Sequence, residues 1–483
     1  MSPVFDEAKY RALLEKLEVR EIAFCSLYEK FRFDAEHYQR RFDDFLKIIT
    51  KKEYSSLQDL LIGSVVTGHT PAMKNNDFYN GDVPFIKTDN LREFCINDNF
   101  SDMLTAQGKN ELKNSALELN DIVVTIIGAT EKIIGRAMLI KEEFVGSCIN
   151  QNIARIRLKK SKISPEFLTA YLNSKYGRLG LLFNSRQTEQ VNLNCREVEE
   201  LLLPILSENV VNCVTNIVNQ ALHKLAWTKK IYINTEKLLL QELGLTDWQP
   251  DDESVATKTF ADFQNSGRLD AEYYQPKYDD LFKRISSYDK SRLGDIVNIT
   301  KSIEPGSEAY QEDGVPFVRV SDITKFGITP PEIHLDRDKY YSENLTPKKD
   351  TILLSKDGSV GIAYKVENDL DVITSGALLH LTVKDNDFLP DYLTLVLNSI
   401  VVKLQAERDA GGSIIQHWKP SEIENVIIPK LPMLIQEQIA AKVQESFALR
   451  KESKRMLDLA KYAVEVAIEQ GEDAAMKLLE EVK

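Results

Sequence analysis

The sequence predicts an α+β protein built twice in tandem, with two mixed α/β domains separated and followed by long helices. Three observations predict it. A series of short motifs recurs in the same order in the two halves of the 483 residues. Between these motifs, short β-branched runs with Gly and Pro punctuation surround one helix that opens at Pro165 or Pro390. Each such stretch is then followed by narrow apolar stripes at helical spacing.

The repeat opens with Arg32-Phe33-Asp34-Ala35-Glu36-His37-Tyr38-Gln39, which returns as Arg268-Leu269-Asp270-Ala271-Glu272-Tyr273-Tyr274-Gln275. An amphipathic stretch follows each, from Phe42 to Ile49 and from Tyr278 to Ile285. Gly81-Asp82-Val83-Pro84-Phe85-Ile86 then matches Gly314-Val315-Pro316-Phe317-Val318, and Asp121-Ile122-Val123-Val124 matches Asp350-Thr351-Ile352-Leu353. Each of the latter leads into a hairpin marked by glycines, Gly128 and Gly135 in the first half and Gly358 and Gly361 in the second. Pro165 and Pro390 each stand at the first position of a helix, where a fixed φ is pre-organised for the start, and Ser164 is a natural cap. Asp34 and Asp270, with Glu36 and Glu272, are expected to be caps or structural pairs at the repeat start.

From Ile435 to about Glu481, and from Val210 to Leu243, apolar residues recur every three or four positions with charges between them. Stripes this long and narrow predict helices that pack on one another as a coiled coil. Gly244 to Glu253, with Gly and Pro, reads as the joint between repeats, and Trp248 and Trp418 read as packing anchors. The expected boundaries are a helical segment at 1–54, a mixed domain at 55–207, a helical region and linker at 208–289, a second mixed domain at 290–430 and a helical region at 431–483. The first 30 residues have no counterpart in the second half and are expected to add a helix to the central coil.

Composition narrows the function. Hydrophobic residues make up 43% and charged residues 28%, values of an ordinary globular chain. The longest apolar runs fall far short of the ~20 residues that span a bilayer, and the N-terminus does not read as a signal peptide. Five cysteines (Cys25, Cys95, Cys148, Cys195, Cys213) lie scattered without a C-x-x-C pair, which argues against a disulfide framework or a zinc site and points to a reducing cytoplasm. A net charge of −13 lends nothing to affinity for phosphates, so any nucleic-acid contact has to come from a local cluster of cations.

Catalytic parts are missing. There is no phosphate-cradling G-x-x-x-x-G-K-[ST] loop and no G-x-G-x-x-G. Thr329-Pro330-Pro331-Glu332 lacks the amide and the aromatic ring of an amino-methyltransferase tetrapeptide. Glu111-Leu112-Lys113 after Asp102 has no counterpart in the second half and reads as structural. The six histidines are singletons; His37, His223 and His380 read as surface or core residues, and His417, in a loop-like stretch, is the one functional candidate.

The chain resembles the specificity (S) subunit of type I restriction–modification enzymes over nearly its whole length. The resemblance is carried by the two repeat openings, the Pro-Phe strands, the hairpin Lys356-Asp357-Gly358-Ser359-Val360-Gly361 and the junction Ile428-Pro429-Lys430-Leu431-Pro432…Gln436-Glu437-Gln438-Ile439. The linker Leu243 to Pro250 adds to it. The first repeat departs at its junction, where Pro204-Ile205-Leu206-Ser207-Glu208-Asn209 lacks the second proline.

The resemblance implies that each mixed domain is a target-recognition domain reading one half of a split site in double-stranded DNA. The helices would form an antiparallel coiled coil, set the half-site spacing at ~1.5 Å per residue, and dock two modification (methyltransferase) subunits. Those subunits, not this chain, would bind S-adenosylmethionine and methylate adenine, and a motor/nuclease restriction subunit would join for cleavage. No cofactor, metal or membrane is expected for this chain.

Phosphate and base contacts come from polar and basic loop residues. The expected set is Lys87, Thr88, Asn90 and Arg92 after the first Pro-Phe strand, Thr130 and Lys132 in the hairpin, and Arg186, Gln187 and Gln190 in the late loop. In the second domain it is Arg319, Ser321, Lys356, Ser359, Ser413, Gln416 and His417. Two other readings stay open: a non-catalytic assembly protein with a coiled-coil spacer, and a fused DNA-modifying enzyme.

Overall fold

The computed structural model describes residues 18, 21–25, 27, 32–72, 76–97, 100–160, 163–187, 190–250, 255–411 and 416–481. Most of the N-terminal 30 residues, and with them the expected extra helix, lie outside the described residues, as does Ser413. Two compact units are present: residues 1–224 with 452–483, and residues 225–451.

In the first unit the strands Val66–Thr67, Ile153–Ile156, Ile122–Thr125 and Ala137–Leu139 form one antiparallel sheet in that order. The second unit repeats it with Val297–Lys301, Leu378–Val383, Ile352–Ser355 and Ala363–Lys365. Ile122–Thr125 and Ile352–Ser355 are buried at every position. That explains why they read as continuous apolar runs, because a strand covered on both faces has no solvent side for polar residues.

A smaller sheet stands beside each. Tyr79–Ile86 pairs in parallel with Cys148–Ile149, and Val315–Val318 pairs in parallel with Ile373–Thr374. In both cases the parallel partner begins at the phenylalanine after the proline (Phe85, Phe317), so neither Pro84 nor Pro316 is asked for an N–H on that side. A two-stranded neck closes each domain: Tyr54–Ser56 against Leu202–Pro204, and Lys290–Arg292 against Ile427–Pro429.

The sheet register corrects one motif match. The sequence pairs Asp121 with Asp350, but Val124 lies opposite Ala137 while Leu354 lies opposite Ala363, which makes Asn120 the counterpart of Asp350. Both residues have positive φ, 66° and 64°, and each donates its N–H to the neighbouring strand, at Ile140 O and Val366 O. Asn and Asp are the side chains that best tolerate this left-handed turn, and matching letters alone shifted the alignment by one.

Helix Pro165–Asn173 runs into Lys175–Asn184, and Pro390–Asn398 into Ile400–Asp409. Ser164 caps the first by accepting from Phe167 N at 3.0 Å. Leu389 has no such side chain, and there Gln436, fully buried, accepts Leu389 N at 3.0 Å and donates to the carbonyls of Asp387 and Leu431, each at 2.9 Å. The Gln of the junction motif is thus a buried polar staple between domain and helix.

The long helices are Glu208–Glu242 and Met433–Glu469. Glu208 and Met433 stand at equivalent distances from Pro204 and Pro429, so the missing second proline leaves the helix start unmoved. The stripe expected to run on to Glu481 is instead broken: Gly471, at φ 106°, separates the long helix from a short one, Glu472–Glu481. Periodicity survives the break because both helices bury apolar residues, among them Val464, Ile468 and Leu479. Within the first unit Ser453 Oγ donates to Ala221 O at 2.7 Å and Ser207 N donates to Glu472, so the two helical segments run in opposite directions. In the second unit Ser446 Oγ donates to Thr228 O at 3.2 Å. Small buried serines at these crossings let the backbones approach closely.

Candidate nucleic-acid interface

The turn after the Pro-Phe strand is built by one side chain in each half. Asn90 accepts Lys87 N at 3.0 Å and donates to Asn97 O at 3.2 Å, and it is buried. Its counterpart Asp322 accepts Arg319 N at 2.8 Å. Asn90 therefore shapes the loop that was expected to offer it to DNA. Lys87 pairs with Asp102 and lies 5.6 Å over the Phe85 ring. Thr88 turns its Oγ1 inward, where it meets no hydrogen-bond partner among the described residues, and Arg92 donates to Leu91 O. Ser321 is exposed and donates to Asp322.

The glycine hairpin and the late loop meet in both halves. Arg186–Gln187 pairs with Val191–Asn192, which pairs with Ile127–Gly128. In the second domain His417 bridges both Gly411 and Asp357, and Gly358 N donates to Gln416 O at 2.9 Å. Two segments about 60 residues apart thereby become one surface, carrying Thr130, Lys132, Arg186 and Gln190 in one unit and Lys356, Ser359, Gln416 and His417 in the other. Thr130, Lys132, Arg186, Gln190, Ser359, Gln416 and His417 are exposed there. The hairpins share an anchor: Thr125 Oγ1 accepts Arg136 N at 3.1 Å, and Ser355 Oγ accepts Ile362 N at 2.9 Å.

Charge is balanced locally. Arg186 pairs with Glu197 at 2.8 Å, Arg319 lies 3.7 Å from Asp322, and Lys356 pairs with Asp357. His417 Nδ1 lies 2.8 Å from Asp357 Oδ1. Burial alone would raise the Asp357 carboxyl, but the hydrogen bonds from Lys356 and His417 outweigh it and hold it below the usual carboxylate range. A phosphate approaching these cations has to displace a carboxylate, in keeping with the acidic balance of the chain.

Two residues that sequence reasoning passed over tie the loops together. Arg178 donates to the carbonyls of Lys132 and Ile134 and to Glu93, and Arg41 forms a two-point pair with Glu131 in the hairpin. Neither carries a local sequence signal, since each sits in a helix far from its partners. Among the described residues no group of three His, Cys, Asp or Glu is placed to hold a metal ion, and no helix is long and apolar enough to cross a membrane.

Comparison with known proteins bears on both halves. Residues 50–212 and 285–455 match the family model of the type I restriction modification DNA specificity domain. The type I restriction enzyme MjaIX specificity subunit of Methanocaldococcus jannaschii is 24% identical over 426 residues, covering 84% of this chain and 88% of its own length. The EcoBI specificity subunit of Escherichia coli is 23% identical over 168 residues, 34% of each chain. Among solved structures, the S subunit of a type I restriction-modification system from M. genitalium aligns over 90% of this chain and 98% of its own at 14% identity, with a TM-score of 0.33. With the family model matched once in each half and over most of the residues, the chain belongs to the type I restriction modification DNA specificity domain family.

Proposed function

We propose that this chain is the sequence-specific DNA-binding specificity subunit of a type I restriction–modification complex. The domains at 55–207 and 290–430 each read one half of a bipartite double-stranded site. The observation that carries this reading is the duplicated surface, in which glycine hairpin and late loop are joined by the same pairing in each half while their exposed side chains differ. A shared scaffold with different side chains suits two dissimilar half-sites.

The chain supplies specificity and no catalysis. The helical regions dock two modification subunits, which hold S-adenosylmethionine and methylate adenine, and a motor/nuclease subunit joins for restriction. Such a complex works in the cytoplasm, where the genome lies. The test is a map of methylated bases in the source cell by single-molecule sequencing, with and without this chain. A split motif of methyladenines that disappears on deletion supports the reading, and an unchanged map overturns it.

A further inference from the structure

We propose that Arg178 is a positioning residue for the DNA-reading surface of the first domain, held in register by Lys461 of the C-terminal helix through Glu93. The inference rests on the proposed function and assigns a residue outside every loop expected to touch DNA.

The geometry is that of one guanidinium spanning two loops. Arg178 Nη1 donates to Lys132 O at 2.9 Å and to Ile134 O at 2.8 Å, both in the glycine hairpin, while Nη2 donates to Glu93 Oε1 at 2.7 Å. Glu93 directly follows Arg92, so the same fork fixes the turn at 87–93 relative to the hairpin at 130–135. The second carboxylate oxygen of Glu93 accepts Lys461 Nζ at 2.7 Å. Arg178 is 16% exposed and Lys461 21%, while Glu93 between them is 40% exposed, so solvent screens the ion pairs and the linkage rests on the geometry of its hydrogen bonds.

Gly135 completes the arrangement. It stands at φ 79°, and a Cβ there would lie 3.1 Å from both Arg178 Cδ and Leu181 Cδ1. The glycine admits the arginine stem across the hairpin. A planar, rigid fork is suited to this task in a way that a flexible ammonium is not.

The second half is built differently at the same places. The hairpin Leu91–Arg92/Cys95–Ile96 corresponds to Ile323–Thr324/Gly327–Ile328, which puts Lys325 where Glu93 stands. Lys325 lies 4.9 Å over the Tyr232 ring and 5.4 Å over Phe326, and Phe326 packs edge-on against Tyr232. Lys403, the counterpart of Arg178, is exposed. The ionic linkage belongs to the first half, so its loss acts on one half-site only.

The experiment is methylation mapping in cells carrying the full chain as wild type, Arg178→Gln, Arg178→Lys, Glu93→Gln or Lys461→Met. Methylation is scored at sites with one wrong base in either half. Arg178→Gln is expected to raise methylation at mismatched sites in one half by about ten-fold, the scale of one base contact, and to leave the other half unchanged. Arg178→Lys restores discrimination in part, and Lys461→Met loosens the same half more weakly.

Unchanged discrimination, or equal loosening of both halves, overturns the inference. If Arg178→Gln fails to fold, as read by thermal melting of the purified chain, Glu93→Gln and Lys461→Met decide by the same criterion. A wild-type chain that directs no split motif overturns the proposed function and this inference with it, whereas a wild-type motif with unaltered variants overturns the inference alone.

Discussion

Arg268 grips the carboxylate of Asp270 at two points, Nε to Oδ1 and Nη2 to Oδ2, each at 2.6 Å. The third arm of the guanidinium donates to Asp409 O, at the last residue of helix Ile400–Asp409. Arg32 and Asp34 repeat the grip, with Arg32 donating to the carbonyls of Asn184 and Ser185 at the end of helix Lys175–Asn184. The repeat-opening motif is therefore a clamp that closes a helix C-terminus with a cation, where the helix dipole favours positive charge.

Breaking the clamp should weaken each unit modestly. Asp34 and Asp270 are held below the usual carboxylate range first by their hydrogen bonds to Arg32 and Arg268. A depressed carboxylate adds stability above the unfolded value of about 4, and this is lost as pH falls through the lower folded value. Because Asp270 is 40% exposed, solvent screening limits its share to about 1 kcal/mol. Urea titrations of Asp270→Asn should show a lower midpoint at pH 7 and a smaller difference from wild type at pH 3.

Asn173 and Asn398 are the second structural signature of the repeat. Each amide accepts the N–H and donates to the C=O of one strand residue, Ala137 or Ala363, at 2.8–3.0 Å, and donates once more within its own helix. Asn398→Ala is expected to cost about 2–3 kcal/mol, since buried backbone groups lose their partners. Asn398→Asp should cost no less, because it removes the donor. Equilibrium denaturation of the full chain measures both.

His380 gives the second unit an acid-sensitive core. It is buried, its Nε2 lies 2.7 Å from Thr374 Oγ1, and burial pushes its pKa down to about 4. Between about pH 6.5 and pH 4 the unfolded chain binds a proton that the folded unit refuses, so stability is full above pH 6.5 and falls as pH drops, by about 3 kcal/mol at the lower end. His380→Gln should flatten that slope. Denaturation midpoints at pH 7.5 and pH 4.5 compare the two.

Lys132 and Arg186 should differ in their contribution to DNA affinity. Lys132 is exposed on the hairpin, whereas Arg186 is paired with Glu197. Lys132→Ala is expected to lower the slope of log affinity against log salt by about one unit without changing the recognised sequence. Arg186→Ala should change it less, because a carboxylate already neutralises that cation. Fluorescence anisotropy with a duplex bearing the mapped motif, across salt concentrations, reads both slopes.

The sequence by itself determined the duplication, the α+β character of each half, the helix starts at Pro165 and Pro390 and the family resemblance. All of these rest on local chemistry: a proline's fixed φ, a capping hydroxyl, apolar spacing and motif order. It also pointed to Asp34 and Asp270 as structural residues, although it could not tell a cap from the ion pair they form. Tertiary structure alone decided what depends on residues far apart in the chain. Strand register moved the match from Asp121 to Asn120, Gly471 broke a stripe whose periodicity ran through it, and hairpin and late loop became one surface. Asn90 went to building its turn, and Arg178 came to hold two loops at once. Periodicity records which side chains face inward, but the partner of a buried amide or guanidinium is fixed only when the chain has folded back on itself.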